Sequence, residues 1–282
     1  MKQSLNIICL LLVSSCTMAQ TASKPFVLGS TEEMYSVILA EKRVLNIYLP
    51  EGYNPKDSVQ YPVIYLLDGS ADEDFIHIAG LLQYNSFPWV NRVQKSILVG
   101  IANTNRKRDF TYPTTLAADK KRYPGSGHSD KFISFLQKEL QPLIESQYKT
   151  TASKTIIGES LGGLLATEIL WKQPALFTKY IIISPSLWWD DGSLLQQNPA
   201  VLLENFTANT SIYIASGKEG LAPSDKPHVM ELDANLLADK LKSSNHKNIS
   251  VYFDYLPQET HATVAHQAVM NAFRILSAGM QQ

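Results

Sequence analysis

One segment of this sequence is built for covalent chemistry: Gly158-Glu159-Ser160-Leu161-Gly162. Glycines two residues before and after the serine allow a sharp strand-to-helix turn that presents the hydroxyl in a strained, exposed position. The flanks fit that geometry. Thr155–Gly158 is a strand candidate, and Leu161, Leu164, Leu165 and Ile169 form the apolar face of a helix that follows. A serine hydroxyl alone is a weak nucleophile, so a base must take its proton and an acid must orient that base. The competing reading is a tight structural turn with no catalytic duty.

On the α/β-hydrolase fold the partners follow in the order serine, acid, histidine. Of the six histidines, His77 and His128 precede Ser160. Among the others, His261 lies in Pro257-Gln258-Glu259-Thr260-His261, just past the last strand candidate and before the last helix, where the base belongs. His266 falls inside that helix and His246 in a polar turn, both reading as surface residues. The acid is expected in the loop after the strand Ser211–Ser216, which places Glu219 first and Asp225 second. Glu231 and Asp233 are expected to start the next helix, where acidic side chains complement the helix dipole. A Ser160–His261 dyad without an acid is the remaining option. The tetrahedral intermediate needs two N–H donors. Leu161 is positioned to supply one, and Gly69 or Ser70 in Leu66-Leu67-Asp68-Gly69-Ser70 the other; a plain Asp-Gly turn is the alternative there.

The elements that must hold these residues alternate between strand and helix. Ser36–Ala40 and Arg43–Leu49 read as a hairpin turning at Glu41-Lys42. Val63–Leu67 and Ser96–Gly100 are short apolar runs bounded by turn residues, as buried strands are, and Thr155–Gly158, Tyr180–Ser184, Ser211–Ser216 and Ser250–Leu256 are further strand candidates. Phe132, Phe135, Leu136, Leu140, Leu143 and Ile144 recur at helical spacing, and Val264, Ala268, Val269, Ala272, Phe273 and Leu276 make a closing helix. This predicts one α/β domain over 36–282, with a mostly parallel central sheet flanked by helices and an N-terminal antiparallel hairpin. Asn103 to Gly127 is a long irregular segment carrying Arg106, Lys107, Arg108, Lys120, Lys121 and Arg122, and loops of that length are usually functional or mobile.

Composition narrows the field. The 282 residues are 45 % hydrophobic and 18 % charged, with a net charge of −1, which suits a large core and offers no field for nucleic acid. Both cysteines, Cys9 and Cys16, sit in a leader with Lys2 and an apolar run from Leu5 to Val13. The pattern predicts a signal peptide over 1–19, followed by a polar segment over 20–35, and hence an exported, periplasmic or extracellular protein. Cleavage after Ala19 competes with a lipobox, Val13-Ser14-Ser15-Cys16, that would make Cys16 a lipid anchor. Either way the folded body has no thiol for a disulfide, a nucleophile or a zinc site.

Several motifs together resemble the putative-esterase family of α/β-hydrolases, in particular its siderophore-esterase-like members. They are Leu49-Pro50-Glu51-Gly52-Tyr53, Tyr61 to Gly69, Gly158 to Gly163, Ser184-Pro185-Ser186-Leu187-Trp188-Trp189 and the His261 segment. The resemblance spans almost all of the chain after the leader. It implies a carboxylic-ester hydrolase acting on a small-molecule ester without metal or cofactor, and says little about the acyl group. Val99 to Asn103, then Arg106 and Asp109, resemble a loop bordering the family's active site. Arg106 with the basic run after it would attract an anionic ferric catecholate; alternatively an Arg106–Asp109 pair fixes the loop. Trp188 and Trp189 either wall a cleft for a flat aromatic acyl group or pack the core. An acyltransferase would share every motif, and a non-catalytic ligand-binding module would keep the fold alone. A peptidase on this fold would need an extra domain that the chain length does not accommodate.

Overall fold

In the computed structural model, which describes residues 23–277, the apolar runs become one eight-stranded sheet. The leader, with both cysteines and its two cleavage readings, lies outside the described residues. The strands are β1 (Ser30–Ser36), β2 (Glu41–Tyr48), β3 (Tyr61–Leu66), β4 (Ile97–Ile101), β5 (Thr150–Glu159), β6 (Lys179–Ile183), β7 (Thr210–Gly217) and β8 (Ile249–Leu256). Their spatial order is β1-β2-β4-β3-β5-β6-β7-β8. β3 to β8 run parallel, and β1 and β2 add an antiparallel pair at one edge. The mostly parallel α/β sheet with an N-terminal antiparallel pair, expected from the alternating pattern, is the one observed.

Between the strands lie α1 (Phe75–Asn85), α2 (Arg106–Phe110), α3 (Ala117–Arg122), α4 (Ser129–Phe135), α5 (Gln141–Gln147), α6 (Leu161–Lys172), α7 (Ser193–Gln196), α8 (Met230–Ser243) and α9 (Val264–Ser277). Two cores result, one on each sheet face. Phe132, Ile144, Leu165, Ile169 and Leu237 pack against Tyr65, Ile156, Ile182 and Ile212. Phe75, Ile78, Leu82, Val269 and Phe273 pack against Ile64, Leu66, Ile157, Ile181 and Tyr213 on the other. Strand residues thus alternate between faces, as the pleat requires, and each face needs its own apolar layer. Among the described residues, no helix is long and apolar enough to cross a membrane.

Two local expectations are corrected. The hairpin turns at 37–40, and Glu41-Lys42 belongs to β2. Val37 and Ile38 donate their N–H groups to Glu139 Oε1 at 3.0 and 3.1 Å, Ala40 takes a positive φ of 54°, and Ile38 and Leu39 pack on the core from the turn. The apolar turn therefore imitates a strand, while polar Ser30–Ser36 forms the edge. The second correction is in the helical run over 129–147, which passes through a π-helical stretch, Leu136–Leu140. Pro142 follows within α5; it has no N–H for the preceding turn and its ring crowds that turn, a recognised cause of such widening.

The strand ends decide where chemistry happens. β3, β5, β6, β7 and β8 all deliver their C-terminal ends to one edge, bringing Gly69, Ser160, Ser184, Glu219 and His261 to neighbouring loops. In parallel sheets that edge is where ligands bind.

Candidate active site

Ser160 stands at the turn between β5 and α6 with φ +58° and ψ −118°. That conformation is strained for an L-residue and survives only where the surroundings impose it. Here they do. A Cβ at Gly158 would lie 2.4 Å from Gly162 O, and one at Gly163 would lie 2.8 Å from Ile183 O. The Ser160 N–H donates to Ile183 O at 3.0 Å, and Ser160 O accepts from the Ser186 N–H at 3.0 Å. The elbow is thereby riveted to the turn after β6.

His261 Nε2 lies 3.1 Å from Ser160 Oγ, and His261 Nδ1 lies 2.6 Å from Glu219 Oε2. Glu219 Oε1 accepts from the Ser184 hydroxyl and from the Gly217 N–H at 3.3 Å. The loop carrying Glu219 is held from behind by Glu231, whose Oε2 accepts from the Gly220 N–H at 2.8 Å. The Lys218 N–H donates to Glu259 O at 2.8 Å, so the loops bearing acid and base are tied to each other. Asp225 faces away: its carboxylate takes Arg122 at 2.7 Å. Glu231 and Asp233 do start α8, as expected.

The electrostatics follow from these contacts. Burial alone would push the Glu219 carboxyl up, but hydrogen bonds from His261 and Ser184 outweigh it and hold it below the usual carboxylate range. His261 is raised above the ordinary histidine value, chiefly by its bond to Glu219, with the nearby Glu159 charge adding to the effect. Glu159, in the elbow itself, is pushed up to about 7, mainly by burial and further by Asp74, Asp68 and Glu219.

The expected donors separate. Leu161 is the first residue of α6, where backbone N–H groups lack intrahelical partners. The Gly69 N–H is already spent on Ile101 O at 3.1 Å, and a Cβ at Gly69 would lie 2.4 Å from Gly100 Cα. Gly69 is thus a close-packing position, and Ser70 is the donor candidate left on that turn.

Arg106 reaches the site but is not paired with Asp109, contrary to the alternative drawn from the sequence. Its Nε and Nη2 grip Asp68 at 2.7 and 2.9 Å, and Nη2 also reaches Glu159 O at 3.2 Å. Asp109 instead binds Arg43 and Arg108, each at 2.7 Å, beneath the long loop. The reason is placement: Asp109 is buried against the β2 side of the core, whereas Asp68 ends the β3 turn beside the elbow. The tryptophans also divide. Trp189 is 1 % exposed and donates its indole N–H to Tyr112 O at 2.9 Å, so it packs the core and cannot meet substrate. Trp188 borders a cavity of about 200 Å³ with Leu116, Asp191 and His228.

Sequence reasoning assigned no role to Ser184, Ser186, Asp68 or Glu159. Ser186 Oγ lies 3.3 Å from Ser160 Oγ, and Ser184, at φ +41°, braces Glu219. The available signal was positional: Ser184-Pro185-Ser186 follows the strand next to the nucleophile strand. Among the described residues, no group of three or more His, Cys, Asp or Glu side chains is arranged to hold a metal.

A nucleophile elbow at the end of a central parallel strand, with a histidine and a carboxylate brought in by later strand ends, is the arrangement of an α/β-hydrolase. Residues 36–269 match the family model described as "Putative esterase". The chain belongs to that family, a family of carboxylic-ester hydrolases. It is 28 % identical over 265 residues to the ferri-bacillibactin esterase BesA of Bacillus subtilis (strain 168), covering 89 % of this chain and 91 % of the relative. An IroE-like serine hydrolase from Shewanella oneidensis superposes with a TM-score of 0.78 at 34 % identity, covering 88 % of this chain and 79 % of the other. The BES protein from Bacillus cereus does so with a TM-score of 0.76 at 28 % identity, covering 92 % and 98 %.

Proposed function

We propose that this protein is an exported serine esterase that opens siderophore-type or related aryl esters through an acyl-enzyme. The observation that carries the reading is the unbroken chain from Ser160 Oγ to His261 at 3.1 Å and from His261 to Glu219 at 2.6 Å. Ser160 Oγ attacks the ester carbonyl while His261 Nε2 takes its proton. Glu219 keeps the Nδ1 proton in place and stabilises the imidazolium. The N–H groups of Leu161 and Ser70 hold the oxyanion. Collapse breaks the carbonyl–alkoxy bond, and the proton on His261 leaves with the alcohol. Water, deprotonated by the same histidine, then cleaves the acyl-serine and restores Ser160. The siderophore-type substrate is supported by the 28 % identity to a ferri-bacillibactin esterase over 91 % of that relative's length. Export rests on the leader alone, and an N-terminus of native protein beginning at Gln20 or at lipidated Cys16 is the expected finding; a retained Met1 would count against it.

The test uses p-nitrophenyl butyrate and a fluorophosphonate label. The wild type should turn over and be labelled at Ser160, and Ser160→Ala should lower kcat by about 10⁶ if the triad acts as a unit. Turnover by the variant at the wild-type rate would overturn the assignment.

A further inference from the structure

The turn after β6 meets the triad at both ends. Ser184 holds Glu219, and Ser186, two residues on, places its Oγ 3.3 Å from Ser160 Oγ. Ser186 is 1 % exposed, and among the described residues Ser160 Oγ is the one hydrogen-bond partner of its hydroxyl. A buried hydroxyl left unpaired is costly, and Ser160 directs its own proton to His261 Nε2 at 3.1 Å. Ser186 is therefore the donor of the pair. The hydrogen bonds run in one direction, from Ser186 to Ser160 to His261.

The backbone of Ser186 has a separate duty. Its N–H donates to Ser160 O at 3.0 Å, and its carbonyl accepts from the Trp189 N–H at 3.1 Å. Pro185 is packed against α6, where a Cβ on Gly163 would lie 3.0 Å from Pro185 Cα. These contacts place the turn without help from the Ser186 side chain, so what the hydroxyl adds is chemistry.

A separation of 3.3 Å is long for two hydroxyls and makes a weak bond in the resting enzyme. A bond from a hydroxyl to an oxygen that carries negative charge is shorter and about twice as strong. During turnover Ser160 Oγ is first a hydroxyl and then, in the acyl-enzyme, an ester oxygen whose lone pair is drawn into the carbonyl, which makes it a poor acceptor. When the acyl-enzyme breaks down it becomes the leaving group and gathers negative charge. The bond from Ser186 thus strengthens most between the acyl-enzyme and the transition state of its breakdown. Only interactions that strengthen on the way to a transition state speed a step.

Resting on the esterase reading above, we propose that Ser186 is a further catalytic residue, which stabilises Ser160 Oγ as it leaves the acyl group and so speeds deacylation more than acylation. Water adds to the acyl carbonyl and gives a proton to His261 Nε2. The bond from the carbonyl carbon to Oγ then breaks, its electron pair stays on Oγ, and Oγ takes the proton from His261. Ser186 donates its hydrogen bond through that collapse and keeps its own proton. In acylation the same donor also ties up the lone pair that must attack, which offsets part of its gain there.

The experiment quenches the enzyme in acid during steady turnover of saturating p-nitrophenyl butyrate and weighs the intact protein. The butyrylated fraction, combined with kcat, gives both rate constants: kcat divided by that fraction is deacylation, and kcat divided by the remainder is acylation. Ser186→Ala should slow deacylation by about 10-fold, the loss of one hydrogen bond to a charged acceptor. Acylation, and the rate at which a fluorophosphonate labels Ser160, should stay within about threefold of wild type. Ser184→Ala is the comparison: it loosens Glu219, on which His261 depends in both steps, so both constants should fall together and the butyrylated fraction should barely change. An unchanged deacylation constant in Ser186→Ala, or an equal fall in both constants, with Ser160 still labelled, would overturn the role of Ser186 and leave the esterase reading standing. A wild type that neither hydrolyses the ester nor is labelled at Ser160 would overturn both.

Discussion

Two glutamates flank His261, one at the exit of β7 and one in the nucleophile elbow, and their surroundings make them chemically different. Glu219 receives hydrogen bonds from His261, Ser184 and the Gly217 N–H, and is held ionised although buried. The Glu159 side chain accepts no hydrogen bond among the described residues, and burial lifts it to about 7. Burial acts on both in the same direction. What separates them is the supply of donors: the β7 exit is a turn whose backbone and neighbouring hydroxyl converge on one carboxylate, whereas in the elbow the Ser160 N–H is spent on Ile183 O of β6. A carboxylate beside a catalytic histidine is therefore an orienting acid only when something else pins it.

The sharpest way to break this contrast is to remove the charge that is pinned. Glu219→Gln should lower kcat by about 10⁴, by analogy with the loss seen when a triad acid becomes an amide and the wrong imidazole tautomer is favoured. KM for a p-nitrophenyl ester should change little. Asp225→Asn, whose parent side chain is occupied by Arg122, should stay near wild type in the same assay. An inactive Asp225→Asn beside an active Glu219→Gln would transfer the role. Two active variants would leave a dyad.

The next effect down concerns how Glu219 is pinned. Ser184→Ala removes a hydroxyl donor to a buried, ionised carboxylate, a type of bond worth ~1.5–3 kcal/mol. The expected result is a fall in kcat on the order of 10-fold with the fold intact, measured alongside the thermal midpoint. Restoration by Ser184→Thr would tie the loss to the donor, and an unchanged kcat in Ser184→Ala would show that the Gly217 N–H suffices.

Much of this was legible in the sequence because it is local or set by topology. The six parallel strands were readable as short β-rich runs between turn residues, and the order serine, acid, histidine is the one that the α/β-hydrolase fold carries. Glu219 was reachable because a loop of few residues leaves few acids to choose from. The hairpin was misread by several residues because the apolar turn residues Val37 and Ile38 are bound by Glu139, about a hundred positions later. Long-range pairing hid the arginines in the same way: Arg106 and Asp109 look like one helical pair, yet Asp68, in the turn after β3, and Arg43, in β2, are what they bind. Glu159 carried no readable signal and Ser184 only its position after the strand next to β5, since each acts through side chains from other strands.

The smallest expected effect concerns the unpinned glutamate, and it is read from pH dependence. His261 must be neutral to act as base, so kcat/KM should rise with pH as the imidazolium loses its proton. The groups that bear on that proton are Glu219 and Glu159, which favour the imidazolium, and Arg106, which opposes it. A carboxylate at position 159 holds the proton on His261. Burial pushes Glu159 up to about 7 and its charge helps raise His261, so the two ionisations are linked and the acid limb belongs to the pair. Removing that charge in Glu159→Gln should move the acid limb to lower pH and steepen it. The plateau at high pH should stay within about threefold of wild type, because the side chain makes no bond to the reacting atoms. The opposite substitution for comparison is Arg106→Gln, which takes away a positive charge near His261 and should move the same limb to higher pH. A limb that stays in place in Glu159→Gln, while Glu219→Gln abolishes the rate as expected, would mean that water screens Glu159 from His261. The two glutamates would then differ in position relative to the histidine and not only in their hydrogen-bond donors.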